Sequence, residues 1–142
     1  MPAPTPTDAD RQRWAKQMEH WTRRVNFNRS CGMTVSQWDR DGVVMHLPHS
    51  ENLCNSTNGI HGGVVSALAD TCGTGASLAA IDFEGFIATV SLNVNYLAPA
   101  LTDLKATARC VKPGRRIQLS RVDVHDVNGR LVAEATVTNM IP

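Results

Sequence analysis

The stretch NSTNGIHGGVVSALADTCGTGASLAA, residues 55–80, is the most informative part of this sequence about its fold. After the loop formers Asn58 and Gly59 the sequence becomes almost entirely small and apolar, so a helix is expected to begin near His61. Asp70 is the one acidic side chain in this run. A helix that is apolar on most faces must be covered by protein, and the stretch therefore predicts a central, buried helix.

The length and charge of the chain limit the classes of protein to which it can belong. The chain has 142 residues, a formal net charge of +1 and 19% charged residues, which fits one domain with its own hydrophobic core. Residues 1–6 are expected to form a disordered leader, and residues 7–142 the domain. The charge balance lacks the basic excess of proteins that bind nucleic acids, so no nucleic acid partner is expected.

Neither membrane insertion nor a metal site is expected. Residues 60–81 approach the length of a membrane span, but their glycines, hydroxyl side chains and Asp70 make insertion unfavourable. The N-terminus lacks a basic segment followed by an apolar one, which favours the cytoplasm. The four cysteines form no C-x-x-C pair and are interpreted as small buried hydrophobes, and the five histidines show no metal-ligand spacing.

The segments around the central helix predict an N-terminal helix and several strands. Thr7 is a candidate N-cap for a helix whose apolar stripe, Trp14, Met18, Trp21 and Val25, packs on the domain. Residues 33–47 predict two strands joined at a tight turn, Asp41–Gly42. Apolar and polar residues alternate with period two in four later segments, residues 87–97, 104–111, 117–127 and 130–140.

The details of the later strands predict their arrangement. In the first of them Thr89 belongs to the polar face, opposite a buried apolar face. In the third segment the apolar residues occupy odd-numbered positions up to Leu119, whereas the next apolar residue, Val122, occupies an even-numbered position, which indicates a bulge or a change of face. Asn128–Gly129 is a type I′ hairpin signal. The four strands are expected to form an antiparallel meander packed on the central helix, which makes the fold class α+β.

The start of the central helix offers backbone amides to a ligand. The first amides, around Gly62 and Gly63, lack intrahelical acceptors and lie at the positive end of the macrodipole. Without Cβ atoms, these glycines let a substrate oxygen that gains negative charge reach the Gly62 amide, as in an oxyanion hole. The alternative is that the two glycines only allow tight packing against a strand.

Four polar side chains share one face of this helix at intervals of four, four and three: Ser66, Asp70, Thr74 and Ser77. They form a polar seam on an apolar helix. Either the hydroxyls bond back to carbonyls of the preceding turn beside a satisfied buried Asp70, or the seam lines a wet crevice with Asp70 as its ionisable group. A carboxylate is rarely retained in a core without a partner, which favours the functional interpretation.

Helix length separates Gly62 from Asp70. The two residues are eight positions apart, or roughly 12 Å along the helix axis. One carbonyl group cannot contact both groups of the same chain, because reacting atoms must lie about 3 Å apart. If both residues act, they act across an interface, and two antiparallel helices related by a two-fold axis would bring them together. This predicts a homodimer with two composite sites.

Several catalytic motifs are absent from the sequence. There is no G-x-S-x-G elbow, which argues against a serine hydrolase of the α/β class. The string GTGASL lacks the third glycine and the preceding strand of a dinucleotide fingerprint. No H-E-x-x-H motif occurs.

Three segments, NSTNGIHGGVVSALAD, TVSLNVNYLAPA and KPGRRIQLSRVDV, resemble the hotdog-fold acyl-CoA thioesterases of the phenylacetate-pathway type. The similarity extends from about Cys31 to Met140 and includes H-G-G with an acidic residue nine positions after the histidine. The resemblance implies a hotdog fold, in which an antiparallel sheet wraps around a long central helix. It also implies a homodimer with active sites between subunits, and often a dimer of dimers.

The resemblance also implies roles for individual residues. Asp70 matches the catalytic acid, which acts as general base on water or as nucleophile, and Gly62 matches the residue whose amide polarises the thioester carbonyl. Asn55 matches a polar residue that positions the thioester or the water. The positions expected to bind substrate are His61, Gly63, Thr74, Thr89, Lys112, Arg115 and Arg116.

The last three of these residues lie where members of the family often present basic side chains to CoA phosphates, and the alternative for them is a solvated hairpin turn. The leading hypothesis is hydrolysis of an aliphatic or aryl CoA thioester without a cofactor, CoA being part of the substrate. Candidate residues for the acyl pocket are Met33, Trp38, Phe83 and Phe86. The main alternative is a non-catalytic hotdog module that binds acyl-CoA as a sensor. A hotdog hydratase is a third possibility. It would be expected to carry a paired Asp and His in a different motif, which this sequence does not contain.

Overall fold

The computed structural model describes residues 4–82 and 86–142. Of the expected leader, residues 1–3 lie outside the described residues, and residues 4–6 precede the first helix without regular secondary structure. The elements are α1 Asp8–Arg23, α2 Asn26–Cys31, β1 Thr34–Asp39, β2 Gly42–Leu47, a 3-10 helix Glu51–Leu53, α3 Gly62–Ala80, β3 Ala88–Tyr96, β4 Leu104–Pro113, β5 Ile117–Asp126 and β6 Leu131–Met140.

Six strands form one antiparallel sheet in the order β1-β2-β4-β5-β6-β3. The predicted α+β class and the hairpin within residues 33–47 are confirmed. The expected meander is wrong at its start, because β3 pairs with β6 rather than with β4. The connection after β3 passes beside the start of α3, where the Ile60 amide donates to the Ala100 carbonyl at 2.8 Å. It therefore delivers β4 to the side of β2.

α3 is the central helix that the sequence predicts. It begins after its N-cap, His61, and packs against all six strands. Leu68, Ala69 and Cys72 have no exposed surface, so the sheet covers the apolar sequence of this helix. Among the helices of residues 4–82 and 86–142, none has the length and apolar character needed to cross a membrane.

The close approach of α3 to the sheet depends on Gly73. A Cβ atom at this position would lie 2.5 Å from Cγ2 of Val137 and 3.1 Å from Cγ2 of Val122. We expect Gly73→Ala to lower the free energy of unfolding by about 1–3 kcal/mol, because overpacking outweighs the better helix propensity of alanine. Urea unfolding measures this change.

Gly75→Ala is the matched control for this prediction, since it makes the same replacement on the same helix. Its Cβ atom would meet ring carbon Cζ2 of Trp38 and Cγ2 of Val43, both at 3.4 Å, which is ordinary van der Waals contact. The close packing at Gly73 would be contradicted if the Gly73→Ala protein were as stable as the Gly75→Ala protein.

α1 begins as predicted, at a capping box formed by Thr7 and Asp10. The Thr7 hydroxyl accepts from the Asp10 amide at 3.1 Å, and the Thr7 amide donates to the Asp10 carboxylate at 2.8 Å. The hydrogen bonds that Thr7 donates hold the pKa of Asp10 below its usual value. The predicted apolar stripe packs on the core through Trp14, Met18 and Trp21, whereas its last member lies beyond the end of α1.

A bulge in β3 overturns the alternation predicted there. The register shifts between Thr89 and Ser91, so that Thr89 pairs with Asn139 while Leu92 pairs with Val137. Asn139 and Val137 are both buried and stand two positions apart in β6, so both face α3. The bulge therefore turns Thr89 toward α3, on the same side as Leu92, and away from the polar face expected for it.

The predicted burial of β3 is also wrong. The exposed fractions are 52% for Val90, 38% for Leu92 and 55% for Tyr96. β3 is the last strand of the sheet, and no described strand of this chain pairs with its outer edge. By contrast, the alternation predicted for β4 is confirmed, since burial alternates regularly from Leu104 to Ala108.

The bulge or change of face predicted in β5 from its apolar pattern is found neither in this strand nor between its faces. Burial alternates without interruption through Gln118, Ser120 and Val122. The bulge lies in the neighbouring strand, between Cys110 and Lys112 of β4. The face of β5 toward α3 simply begins with polar side chains, which made its apolar pattern look displaced.

The turn between β5 and β6 lies at Asn128–Gly129 as predicted, but it is not of type I′. That type needs a positive φ at both central residues, and of these two only Gly129, at +81°, has one. The Gly129 amide donates to the Asp126 carbonyl at 3.1 Å. The Asp126 carboxylate accepts from the amides of Asn128 and Arg130, both at 2.9 Å, and so stabilises a different turn.

The four cysteines are free thiols. Cys31 and Cys72 are buried as predicted, while Cys54 and Cys110 are only half-buried. Burial raises the pKa of the Cys72 thiol far above its usual value, which makes it unreactive at neutral pH.

Candidate active site

The first turn of α3 presents a free backbone amide. His61 caps the helix with its side chain, whose Nδ1 accepts from the Gly63 amide at 2.8 Å. The Gly62 amide has no acceptor in the described part of the chain. It lies at the positive end of the helix macrodipole, so Gly62 is the residue whose amide can bind a substrate oxygen, whereas the Gly63 amide is engaged.

Asn55 organises the loop that precedes this turn. Its Oδ1 accepts from the Thr57 amide at 2.9 Å, from the Thr57 hydroxyl at 2.8 Å and from the Gly59 amide at 3.2 Å. These contacts make an Asx-type turn and use the acceptor of the side chain. The Nδ2 group has no acceptor among the described residues, so it remains available to donate to a ligand.

Tyr96, at the end of β3, completes the surroundings of Gly62 and was not singled out as a site residue from the sequence. Its hydroxyl donates to the Gly62 carbonyl at 3.1 Å and makes a hydrogen bond with the Ser66 hydroxyl. A cleft of about 220 Å³ is bounded by Asn55, Gly62, Tyr96 and the Pro99 loop. We call it the Gly62 cleft. The alternation in β3 marks Tyr96 only as an apolar-face residue, so no local signal indicates this contact.

Asp70 lies in the middle of α3 and is held by β3. The Thr89 hydroxyl donates to Oδ1 of Asp70 at 2.8 Å, and Oγ1 of Thr74 lies 3.2 Å from Oγ1 of Thr89. The bulge in β3 makes this contact possible, because it turns Thr89 toward the helix. Buried Asn139 of β6 donates to both hydroxyls. The polar seam thus bonds across to the sheet, as Ser77 also does to Ser120 at 2.8 Å.

A second cleft, of about 350 Å³, opens beside Asp70. We call it the Asp70 cleft. Its polar members include Thr74 and Thr89. Its apolar wall is formed by Trp21 of α1, Val25 between the two helices, Phe27 of α2 and Ile87 just before β3. The lining expected from the sequence differs, because Met33 and Trp38 are buried in the core. Phe86 is exposed outside this cleft, and Phe83 lies outside the described residues.

The predicted basic residues Lys112, Arg115 and Arg116 are exposed around the turn between β4 and β5. Within residues 4–82 and 86–142 none of the three forms an ion pair. The Ile141 amide donates to the Arg116 carbonyl at 2.9 Å, and Met140 pairs with Ala88 at the start of β3. The turn therefore lies at the Thr89 end of the sheet and away from Tyr96.

The predicted site residues thus fall into two groups within one chain. Asn55, His61 and Gly62 lie at the start of α3, whereas Thr74 and Thr89 surround Asp70. The Gly62 cleft and the Asp70 cleft have no lining residue in common. Among the described residues, no three His, Cys, Asp or Glu side chains are grouped as metal ligands would be. One chain therefore places the free Gly62 amide and the Asp70 carboxylate in two clefts that are separated along the helix.

A family model described as the thioesterase superfamily matches residues 58–133, more than half of this chain. This chain belongs to the thioesterase superfamily. The match contains Gly62, Asp70 and Thr89, and it leaves out Asn55 as well as the helices α1 and α2.

Individual relatives of this thioesterase superfamily chain agree with the family match. The chain is 33% identical over 98 residues to a Halobacterium salinarum protein named "Putative esterase", a match that spans 66% of this chain and 65% of that protein. It is 22% identical over 139 residues to the Escherichia coli medium/long-chain acyl-CoA thioesterase YigI, covering 87% and 90% of the two chains.

A solved structure from Shewanella oneidensis, described as related to the thioesterase superfamily, has a TM-score of 0.88 to this chain. It shares 20% sequence identity and covers 96% of this chain and 100% of its own. At that identity the likeness concerns the fold. This thioesterase superfamily chain has the hotdog fold that its sequence motifs implied.

Proposed function

We propose that this protein hydrolyses acyl-CoA thioesters to the free acid and CoA, at sites shared between two chains and without a cofactor. The observation that carries the proposal is Asp70, oriented by Thr89 in a cleft with an apolar wall. The motif from Asn55 to Asp70 supports the phenylacetate-pathway type within the superfamily. A distant relative, YigI of Escherichia coli, is named as an acyl-CoA thioesterase, which supports the choice of thioester.

The chemistry divides between the two halves of the site. The free Gly62 amide donates to the thioester oxygen and stabilises its negative charge as the tetrahedral intermediate forms. Asp70 either takes a proton from water, which attacks the carbonyl carbon, or attacks that carbon itself. The C–S bond then breaks, and the CoA thiolate leaves and takes up a proton. In the second route this leaves an acyl anhydride on Asp70, which water hydrolyses to the free acid and the Asp70 carboxylate. In both routes the Asp70 carboxylate lies beside the carbonyl carbon.

Two chains are needed because the halves are too far apart in one. Gly62 and Asp70 are eight residues apart on α3, or roughly 12 Å along its axis. A homodimer with antiparallel α3 helices would set Asp70 of one chain against Gly62 of the other. The exposed outer edge of β3, with its apolar residues Val90, Leu92 and Tyr96, supports an interface there. We extend the proposal to a dimer of dimers, which mass measurement in solution tests.

The surroundings of Asp70 suggest where each end of the substrate binds. The wall formed by Trp21, Val25 and Phe27 suits an apolar acyl group. The basic turn, with Arg115 and Arg116 exposed and unpaired within the described residues, suits the phosphates of CoA.

A panel of thioesters tests the proposed function. We expect the purified protein to release free thiol from CoA thioesters, and to act faster on apolar acyl groups than on charged ones, because the cleft wall is apolar. Titration of the released thiol measures the rates. The same acyl group on pantetheine lacks the nucleotide phosphates, and we expect it to show a raised KM. Tight binding of acyl-CoA without release of thiol would contradict hydrolysis and indicate a sensor.

A further inference from the structure

Asn139 is a buried polar residue that no sequence motif indicates. This residue of β6 has no exposed surface and pairs with Thr89 in the sheet. Its Nδ2 donates to Oγ1 of Thr74 at 3.0 Å and to Oγ1 of Thr89 at 3.1 Å. Asn139 therefore lies directly behind the two hydroxyls that surround Asp70, one hydrogen bond away from the carboxylate.

The direction of each hydrogen bond follows from the number of available hydrogens. An ionised carboxylate only accepts, and a threonine hydroxyl has one hydrogen. At 2.8 Å from Oδ1 of Asp70, the Thr89 hydroxyl gives that hydrogen to the carboxylate. Its lone pairs then face Asn139, whose side-chain amide supplies two hydrogens, one for Thr89 and one for Thr74. The Asn139 amide thus leaves the Thr89 hydrogen directed toward Oδ1 of Asp70.

This arrangement fixes one carboxylate oxygen and leaves the other free. The described residues provide a donor for Oδ1 of Asp70 and none for Oδ2. We propose that Asn139 is a positioning residue, which orients the Thr89 hydroxyl so that Oδ2 of Asp70 faces the reacting carbonyl. The proposal rests on the proposed function and adds a residue that lies outside the matched segment 58–133.

Asn139 also has a buried polar atom that lowers stability and that packing alone does not explain. Its Oδ1 is buried and has no hydrogen-bond partner among the described residues. A buried acceptor without a partner lowers stability, whereas an apolar side chain of the same shape does not carry that penalty. Leucine would fill this space without the orphaned oxygen, so the amide is explained by the two hydrogens that it donates.

Two nearly isosteric substitutions test the positioning role. We expect Asn139→Leu and Thr89→Val each to lower kcat about tenfold, because a misaligned catalytic group loses rate rather than affinity. KM should change by less than about twofold. Since both act on the same carboxylate, the double variant should lose no more than the worse single variant. Thr89→Ser keeps the hydroxyl and should retain most of kcat.

Ser120→Ala is the matched control, because it removes another buried polar contact with α3, the 2.8 Å hydrogen bond to Ser77. It should lower the melting temperature and leave kcat unchanged. If Asn139→Leu does not fold, Asn139→Ser carries the same test of kcat. Suppose that the wild-type protein is active. If Asn139→Leu then leaves kcat unchanged, or if the losses of the two single variants multiply in the double variant, the positioning role alone is overturned. A wild-type protein that hydrolyses no thioester overturns the proposed function as well.

Discussion

Asp70→Asn should lower kcat for CoA thioester hydrolysis by about 10²-fold or more, since it removes the general base or nucleophile. The amide has the shape of the carboxylate and can still accept the hydrogen of Thr89, which donates to Oδ1 at 2.8 Å in the wild type. The loss should therefore appear in kcat, with little change in KM or in folding. Steady-state assays of thiol release measure kcat and KM, and a thermal unfolding curve checks folding.

Asp70→Ala removes the whole group and should be at least as inactive. Asp123→Asn is a matched control, because Asp123 is exposed and lies between buried residues of β5 that face α3, so its own side chain faces the other side of the sheet. That control should keep wild-type kcat. Turnover close to wild type in either Asp70 variant would show that the carboxylate is not catalytic.

Gly62→Pro should lower kcat by about 10²- to 10³-fold, because it deletes the proposed oxyanion donor. Proline has no backbone N–H and is favoured at the first position of a helix, which Gly62 occupies. The preceding residue, His61, has φ −56° and ψ 137°, a conformation that proline tolerates after it. The substitution thus removes one hydrogen while α3 stays intact, which circular dichroism checks.

Gly62→Ala separates the missing hydrogen from added bulk. Its Cβ atom would lie 3.4 Å from Cε1 of Tyr96, an ordinary contact, and its amide is kept. We expect this variant to retain kcat within a few-fold, and KM to rise where the methyl group limits the approach of substrate. If Gly62→Pro hydrolysed thioesters as fast as Gly62→Ala, the Gly62 amide would not be the oxyanion donor.

Mixing the two inactive variants tests whether sites are shared between chains. A heterodimer of an Asp70→Asn chain and a Gly62→Pro chain has one site in which both the carboxylate and the amide are intact. After random exchange of equal amounts, half of the dimers are mixed, so about a quarter of wild-type activity should return. If each site belonged to one chain, the mixture would stay inactive.

Much of the fold could be predicted because local signals and burial agree. The small apolar run after Gly59 specifies α3, and the Thr7 cap specifies the start of α1. The alternation of apolar and polar residues with period two predicted the positions of all four later strands. The order of those strands could not be predicted, since the place of β3 beside β6 depends on where the chain passes α3, and no local pattern encodes that path.

The predictions for the site show the same limit. Asp70 and Gly62 are candidates from residue type and spacing along one helix, and Asn55 is a candidate through the family resemblance. The contact between Thr89 and Asp70 was not readable from alternation, because a one-residue bulge in β3 reverses the face of Thr89. Asn139 gives no signal in the sequence, since a polar residue in a strand is ordinarily expected on the solvated face.

Propensity, capping and helix rise act over a few neighbouring residues, so the amino-acid sequence specifies the elements, the central helix and the separation of Gly62 from Asp70. Tertiary packing specifies which strands meet and which hydroxyls reach the carboxylate. Those contacts join residues far apart in the chain, such as Asp70, Thr89 and Asn139. They depend on register, and a shift of one residue exchanges the two faces of a strand.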